Sequence, residues 1–497
     1  MKNLKNVMQI LFLSVSLILY GGCITAANVP TDTDISNAVE SELMNNATIP
    51  SYLIDVTTNE GIVSLTGTVN NILEKDRAVK IARTVKGVRA VINNIVVNAP
   101  LLGDDILKQN VNDALLRDPA TDSYEIMVDV NNGSVTLSGT VESWQKKQLS
   151  EFVVKGVLGV KEIKNEISVN NIINRPDLEI QNEIQKSLKN DVRIDNALVD
   201  VEVKNSKVLL SGIVGSASEK SLAYSQAWTS GVKSVSFNEL EVKEWARNKN
   251  LRKDKYLEKT DIEILNAVKD AFRHDPRVNS FNIDVSVLSG NITLTGKVDN
   301  LKAKRAAEQD ANNVVGVMRV KNYLKVRPVF IPNDKVLEAN VNSSFKHNPI
   351  VQKWEIDVTA TNGVIYLNGS VDSYYEKATI EDLASKTKGV IAVENNIILY
   401  DNNDSYYYDY YDWNNYYPPY HIDVVYSFGS DARLKRNIID EMWWSPYVNE
   451  DQIAITITNG KVVLTGTVDT EREKMFAEIN AFEGGASEVE NNLVVNY

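Results

Sequence analysis

Gly61-Ile62-Val63-Ser64-Leu65-Thr66-Gly67-Thr68-Val69 decides how this chain is read, because the chain writes the same phrase six times. It returns as Gly133-Ser-Val-Thr-Leu-Ser-Gly139, Ser206-Lys-Val-Leu-Leu-Ser-Gly212 and Gly290-Asn-Ile-Thr-Leu-Thr-Gly296, then as Gly363-Val-Ile-Tyr-Leu-Asn-Gly369 and Gly460-Lys-Val-Val-Leu-Thr-Gly466. An apolar residue alternates with a mostly polar one between two glycines. That is a half-buried strand entered through a tight turn and left through a second special backbone position. Further along each copy stands a third glycine: Gly87, Gly159, Gly231, Gly316, Gly389 and Gly485. A Val/Ile-rich strand follows it, carrying Asn93-Asn94, Asn165-Glu166, Asn238-Glu239, Asn322-Tyr323, Asn395-Asn396 or Asn491-Asn492. Self-similarity of this kind marks a repeat architecture.

Outward from the phrase, the first unit reads as αββαβ. Ile35, Ala38, Val39 and Leu43 share one helical face, with Asp34 available as an N-cap. Tyr52 to Val56 alternates as a strand, and Gly61 to Val69 returns as its hairpin partner. Ala78, Ile81, Ala82 and Val85 make the stripe of a second helix closed by Gly87 as C-cap, and Val91 to Val97 supplies a third strand. The expected fold is α+β: six tandem αββαβ modules, each a three-stranded sheet with two helices on one face. A module this small gains from contact with its neighbours. The glycines read as turn and cap residues, since no copy has the Lys-Ser/Thr that a phosphate-cradling loop places after its last glycine. Ser206, in the place of a first glycine, shows that this position accepts a substitute.

Six copies of this Gly…Gly…Gly-Val…Val-x-Asn framework resemble BON domains, the modules of osmotically inducible periplasmic proteins and envelope lipoproteins. The resemblance places units at 31–98, 103–170, 175–243, 259–327, 332–400 and 430–497. It implies a non-enzymatic protein that binds phospholipid surfaces or envelope proteins and supports envelope integrity under osmotic or other stress. It leaves open a soluble periplasmic, chaperone-like alternative acting through protein contacts.

The N-terminus fits such an address. Lys2 and Lys5 precede an apolar run from Val7 to Leu19 that ends in Tyr20-Gly21-Gly22-Cys23. Residues 1–23 read as a secretory signal, because the run is short of the roughly 20 residues a spanning helix needs. Its end resembles a lipobox that would make Cys23 a lipidated first residue, with Tyr20 where leucine is usual. Ile24 stands where an inner-membrane retention signal would show aspartate, so the expected address is the periplasm, anchored to the outer membrane.

Composition bounds the rest. The 497 residues carry a net charge of −13, which argues against nucleic acid as a partner. One cysteine permits no internal disulfide, and His274, His347 and His421 lie too far apart to suggest a metal site. No cofactor is implied, and no nucleophile elbow occurs. Acidic pairs such as Asp104-Asp105 sit at helix starts, where they complement the dipole. Trp144, Trp228, Trp354, Trp443 and Trp444 read as core or interdomain packing.

The six phrases step by 72, 73, 84, 73 and 97 residues, so two insertions interrupt the array. The first, Lys243 to Lys259, leads into unit four. Residues 251–330 hold 15 Lys/Arg against 10 Asp/Glu in an otherwise acidic chain. Lys269, Arg273 and Arg277 at the end of its first helix, with Lys302, Lys304 and Arg305 on its second, are the candidate site for anionic lipid headgroups. The second insertion, residues 401–429, is a Tyr/Asn/Asp-rich linker in which Pro418-Pro419 blocks helix and central strand. Residues 401–497 carry 6 basic and 17 acidic side chains, so this end is opposite in charge to unit four.

Overall fold

The computed structural model of the chain describes residues 30–399 and 431–496, apart from 47, 123, 171–174, 248–258, 446 and 459. The signal-like segment with Cys23, most of the first insertion, and the Tyr-rich linker with His421 lie outside the described residues.

Unit one shows how each module is built. Its first helix, Asp32–Asn45, buries Ile35, Ala38, Val39 and Leu43. Thr31, rather than Asp34, is the N-cap. The Thr31 Oγ1 accepts from the Asp34 N–H at 3.2 Å, and the Asp34 carboxylate accepts back from the Thr31 N–H at 2.9 Å, a reciprocal capping box. The hairpin Ile54–Asn59 and Ile62–Val69 is antiparallel, with Ile54 opposite Gly67. The second helix, Ile72–Thr84, crosses back so that Ala90–Val97 lies parallel to Ile62–Val69, which is therefore the central strand. Val85, not Gly87, caps that helix. The same order recurs in all six units, giving six sheets. In units two and four the third strand breaks after Asn165 and Asn322 and resumes at Ser168 and Lys325.

At Gly67, with φ of 118°, a Cβ would stand 2.0 Å from the Leu53 carbonyl oxygen, so no side chain fits there. The hairpin turn is held by the aspartate that opens the first helix. Asp32 accepts from the Glu60 and Gly61 N–H groups at 2.8 Å each, and Asp261 does the same for Ser289 and Gly290 at 2.9 and 3.0 Å. Asp104, read above as a dipole partner, makes this clamp on Asn132 and Gly133. The repeated asparagine ties the third strand to the second helix. Asn322 Nδ2 donates to the Lys304 carbonyl at 2.9 Å and to Glu308 at 3.0 Å, while its Oδ1 accepts from the Leu324 N–H. Asn165, Asn395 and Asn491 repeat that geometry.

The modules do not form a rod. Unit one alone meets unit two through Lys155–Asp76 (2.8 Å), unit three through Ser218 and the Arg83 carbonyl, unit five through Arg77 over Tyr375, and unit six through Arg77–Glu483 (2.7 Å). Units four and five share one continuous apolar core. Helix ends meet across seams by backbone bonds: Val315 N–H donates to the Asn190 carbonyl, and Leu158 N–H to the equivalent His347 carbonyl, each at 2.8 Å. Trp144 and Trp228 stack at 5.4 Å between units two and three, and Trp444 packs on the core of unit one. The helical layers are thus turned toward one another, and the outer sheet faces carry the alternating exposed residues.

Candidate functional site

The helical cations of unit four are drawn into these seams. Lys302 is buried and lies 3.0 Å from Asp118 of unit two. Arg305 pairs with Glu381 of unit five. Arg277 binds its own Asp275, beside the buried carboxyl of Asp310, which burial and Asp275 push well up. Arg273 pairs with Asp270, which also takes Lys186 of unit three at 2.6 Å. Lys304 is half-buried, and Lys269 is exposed at a distance from a common face. Of the six residues expected to form one lipid-binding patch, Lys302 and Arg305 are thus paired across seams, Arg273 and Arg277 are paired with aspartates of their own unit, and Lys269 and Lys304 are in no ion pair among the described residues. At Lys302 and Arg305 a helix face that looks solvated in isolation meets the neighbouring module.

The open positive charge of unit four lies on its outer sheet face. The third strand runs Arg319-Val-Lys321-Asn-Tyr323-Leu-Lys325-Val-Arg327, and every odd-numbered residue is exposed. This is the strict alternation of a strand with one face in water. Register places Lys325 beside Lys297 of the central strand and Arg319 beside Asn291. None of Lys297, Arg319, Lys321, Lys325 and Arg327 is in an ion pair among the described residues, although Arg319 lies in electrostatic reach of Glu471. Asp284 is the one exposed carboxylate on the strands of this face.

One end of the face is also apolar. Arg327 N–H bonds the Val298 carbonyl, fixing where the third strand leaves the sheet. Val329 and Phe330, which follow, are 99% and 74% exposed. The first strand begins at that same end, with Ile283 opposite Gly296, and is preceded by Phe281, 96% exposed. Cations and unburied apolar side chains are thus adjacent. The equivalent strands differ: unit six presents Glu488 and Glu490, both held by Lys461, and unit one presents Ile92 and Val96.

Chemistry beyond ionic contact is sparse. Among the described residues no group of His, Cys, Asp and Glu is placed to hold a metal, and no helix is long and apolar enough to cross a membrane. His274 bonds Glu183 at 3.0 Å across the seam of units three and four. Burial pushes the Glu183 carboxyl up, but hydrogen bonds from His274, Arg175 and Thr229 outweigh it and hold it at about 2. His347 accepts a seam bond through its carbonyl and points its ring Nδ1 at the Ser343 carbonyl.

The profile of the BON domain matches residues 31–99, 103–171, 176–244, 251–328, 333–399 and 430–497. Over 147 residues the chain is 31% identical to the "Osmotically-inducible protein Y" of Escherichia coli (strain K12), covering 28% of this chain and 73% of that protein. Over 139 residues it is 32% identical to the "Outer membrane lipoprotein DolP" of Haemophilus influenzae, covering 27% and 69%. A solved structure of CdsD, a structural protein of the type III secretion system of Chlamydia trachomatis, is similar at 14% identity and a TM-score of 0.12, covering 62% of this chain and 97% of that one.

Proposed function

This chain belongs to the BON domain family, and on that premise we propose that it is a non-catalytic cell-envelope protein that docks on anionic phospholipid surfaces through the outer sheet face of unit four. The observation that carries the reading is the set of five cations in no ion pair among the described residues, Lys297, Arg319, Lys321, Lys325 and Arg327, beside exposed Phe281, Val329 and Phe330. Each base near an anionic membrane contributes about 1 kcal/mol, falling off within a Debye length. Exposed apolar side chains such as Phe281 and Phe330 gain by burial at the headgroup–acyl boundary. The rest of the molecule is acidic, so an anionic surface repels its other faces and orients unit four toward lipid. Cys23, as a lipidated first residue, would tether the chain to the outer membrane, the location named in one relative, while unit four sets the orientation.

Flotation of the Cys23→Ser chain with vesicles of rising phosphatidylglycerol content tests the face apart from the tether. Binding that weakens with salt and disappears in an Arg319→Glu/Lys325→Glu variant is expected. Undiminished binding of that variant refutes the assignment. A second reading, a soluble chaperone-like stress protein, is favoured by Ile92 and Val96 on the outer face of unit one. It predicts instead that the chain suppresses aggregation of an unfolded exported protein and that Ile92→Asp abolishes the effect.

A further inference from the structure

Units one, five and six meet around a cavity of about 390 Å³. Glu42 reaches it from the first helix of unit one, Glu441 from the first helix of unit six (Asp431–Trp444), and Glu483 from the second helix of unit six (Glu471–Glu483). Arg77 and Lys80 enter from the second helix of unit one. Arg77 is engaged twice, by Glu483 at 2.7 Å and by the face of Tyr375 at 4.8 Å. Glu42 and Glu441 thus bring two carboxyl groups from different modules to one cavity, where like charge disfavours ionising both. Burial, reinforced by the neighbouring carboxylates, pushes Glu441 up to about 10, and burial pushes Glu42 up to about 7.

A second observation points to what the cavity lacks. Asn480 lines it, is only 7% exposed, and its Oδ1 has no hydrogen-bond partner among the described residues. A buried acceptor without a donor costs stability unless something supplies one. An unsatisfied acceptor in a cavity that two buried carboxyl groups also line calls for N–H donors that carry positive charge. The walls suit the remainder of such a molecule. Tyr374 and Phe482 stack at 4.7 Å, Tyr447 and Phe476 at 4.3 Å, and Trp444 completes the lining. Aromatic faces accept both a cation and an alkyl chain. Arg77 is the cation in electrostatic reach of Glu42 and Glu441, and Glu483 already engages it, so ionising both carboxyl groups calls for a further positive charge.

We infer that this cavity is a binding site for a protonated primary amine, whose ammonium group pairs with Glu42 and Glu441 and donates to Asn480 Oδ1. The amine enters with its three N–H bonds intact. The one covalent bond that breaks is the carboxyl O–H, whose proton leaves to water while its electron pair stays on the carboxylate. This site is independent of lipid docking, from which it differs in unit and in charge.

Isothermal titration calorimetry of the full chain with n-butylammonium, at neutral pH in two buffers of different ionisation enthalpy, reads binding and proton release together. Saturable binding with release of a proton is expected, weakened at least about tenfold by Glu441→Gln and by Asn480→Leu. Asn480→Leu leaves the carboxyl pair in place and reports on the site even where Glu441→Gln fails to fold. Tetramethylammonium, which has the charge but no N–H, is expected not to bind. Absence of butylammonium binding, binding without proton release, equal affinity in Asn480→Leu, or equal affinity for tetramethylammonium overturns the inference.

Discussion

Lys302 and Lys325 both belong to the positive surplus of unit four, and truncating them should have opposite consequences. Lys302 and its partner Asp118 are 8% and 5% exposed and 3.0 Å apart, in different modules. Burial, and then the nearby Lys386, pull the Lys302 pKa down, and Asp118 opposes them. Lys302→Ala therefore strands a buried carboxylate. Breaking a buried pair from one side costs about 3–5 kcal/mol. Asp118 keeps the Ala120 N–H as a donor and feels Lys386, so the low end, about 3 kcal/mol, is expected. That loss should appear as a lower urea midpoint and faster amide exchange at Ala120 and Ala303, with vesicle binding unchanged. Lys325 is exposed and in no ion pair, so Lys325→Ala should alter stability by no more than about 0.5 kcal/mol. It should lower vesicle partitioning by about 1 kcal/mol, roughly fivefold. The reasoning fails if Lys302→Ala unfolds as the parent does yet binds vesicles more weakly. It fails equally if Lys325→Ala binds them as the parent does.

Other consequences follow from single positions. Ser206 holds φ of 63° where most units have glycine, so Ser206→Gly should stabilise unit three by about 1 kcal/mol, read as a raised unfolding midpoint. Gly67→Ala should destabilise unit one by about 2 kcal/mol or more, seen in thermal unfolding, because its Cβ would stand 2.0 Å from a carbonyl oxygen. Glu42 and Glu441 are raised from 4.5 to about 7 and about 10 in the folded chain, which therefore holds more protons than the unfolded chain between 4.5 and those values. Stability should fall as pH rises through that window, and Glu441→Gln should flatten the fall measured by urea midpoints. Cys23→Ser should move the protein from the membrane fraction to the soluble periplasmic fraction on cell fractionation.

The modules are legible in the sequence because what defines them is local. Alternation in Gly61 to Val69 and the helical stripe of Ile35, Val39 and Leu43 each need only a few neighbouring residues to be read, and the structure has both. The turn clamp was equally readable. Asp32, Asp104, Asp177, Asp261, Asp334 and Asp431 each stand 29 residues before the turn position they hold. The period-two run of cations from Arg319 to Arg327 was readable too. The seams are different. Lys302 meets an aspartate 184 residues away, and Arg77 a glutamate 406 residues away. A lysine on an amphipathic helix has the same local pattern whether water or another module covers it, so periodicity cannot separate the two.

That difference also decides where function can reside. Once helices face helices, a partner from outside meets the sheets, and the side chains it meets are the odd-numbered or even-numbered half of each strand. The central strand is constrained on its inner side by Val63 and Leu65 and their counterparts, and the third strand by its asparagine tether. The outward positions of the third strand carry no such constraint, and there the units diverge: Arg319, Lys321 and Lys325 in unit four, Glu488 and Glu490 in unit six, Ile92 and Val96 in unit one. A fold repeated six times thus presents basic, acidic and apolar faces on different units of one chain. Exchanging Arg319, Lys321, Lys325 and Arg327 with their register equivalents Glu488, Glu490, Val494 and Asn496 leaves both buried sides intact. If function is written on those outward positions, the exchange transfers vesicle binding from unit four to unit six with little change in stability.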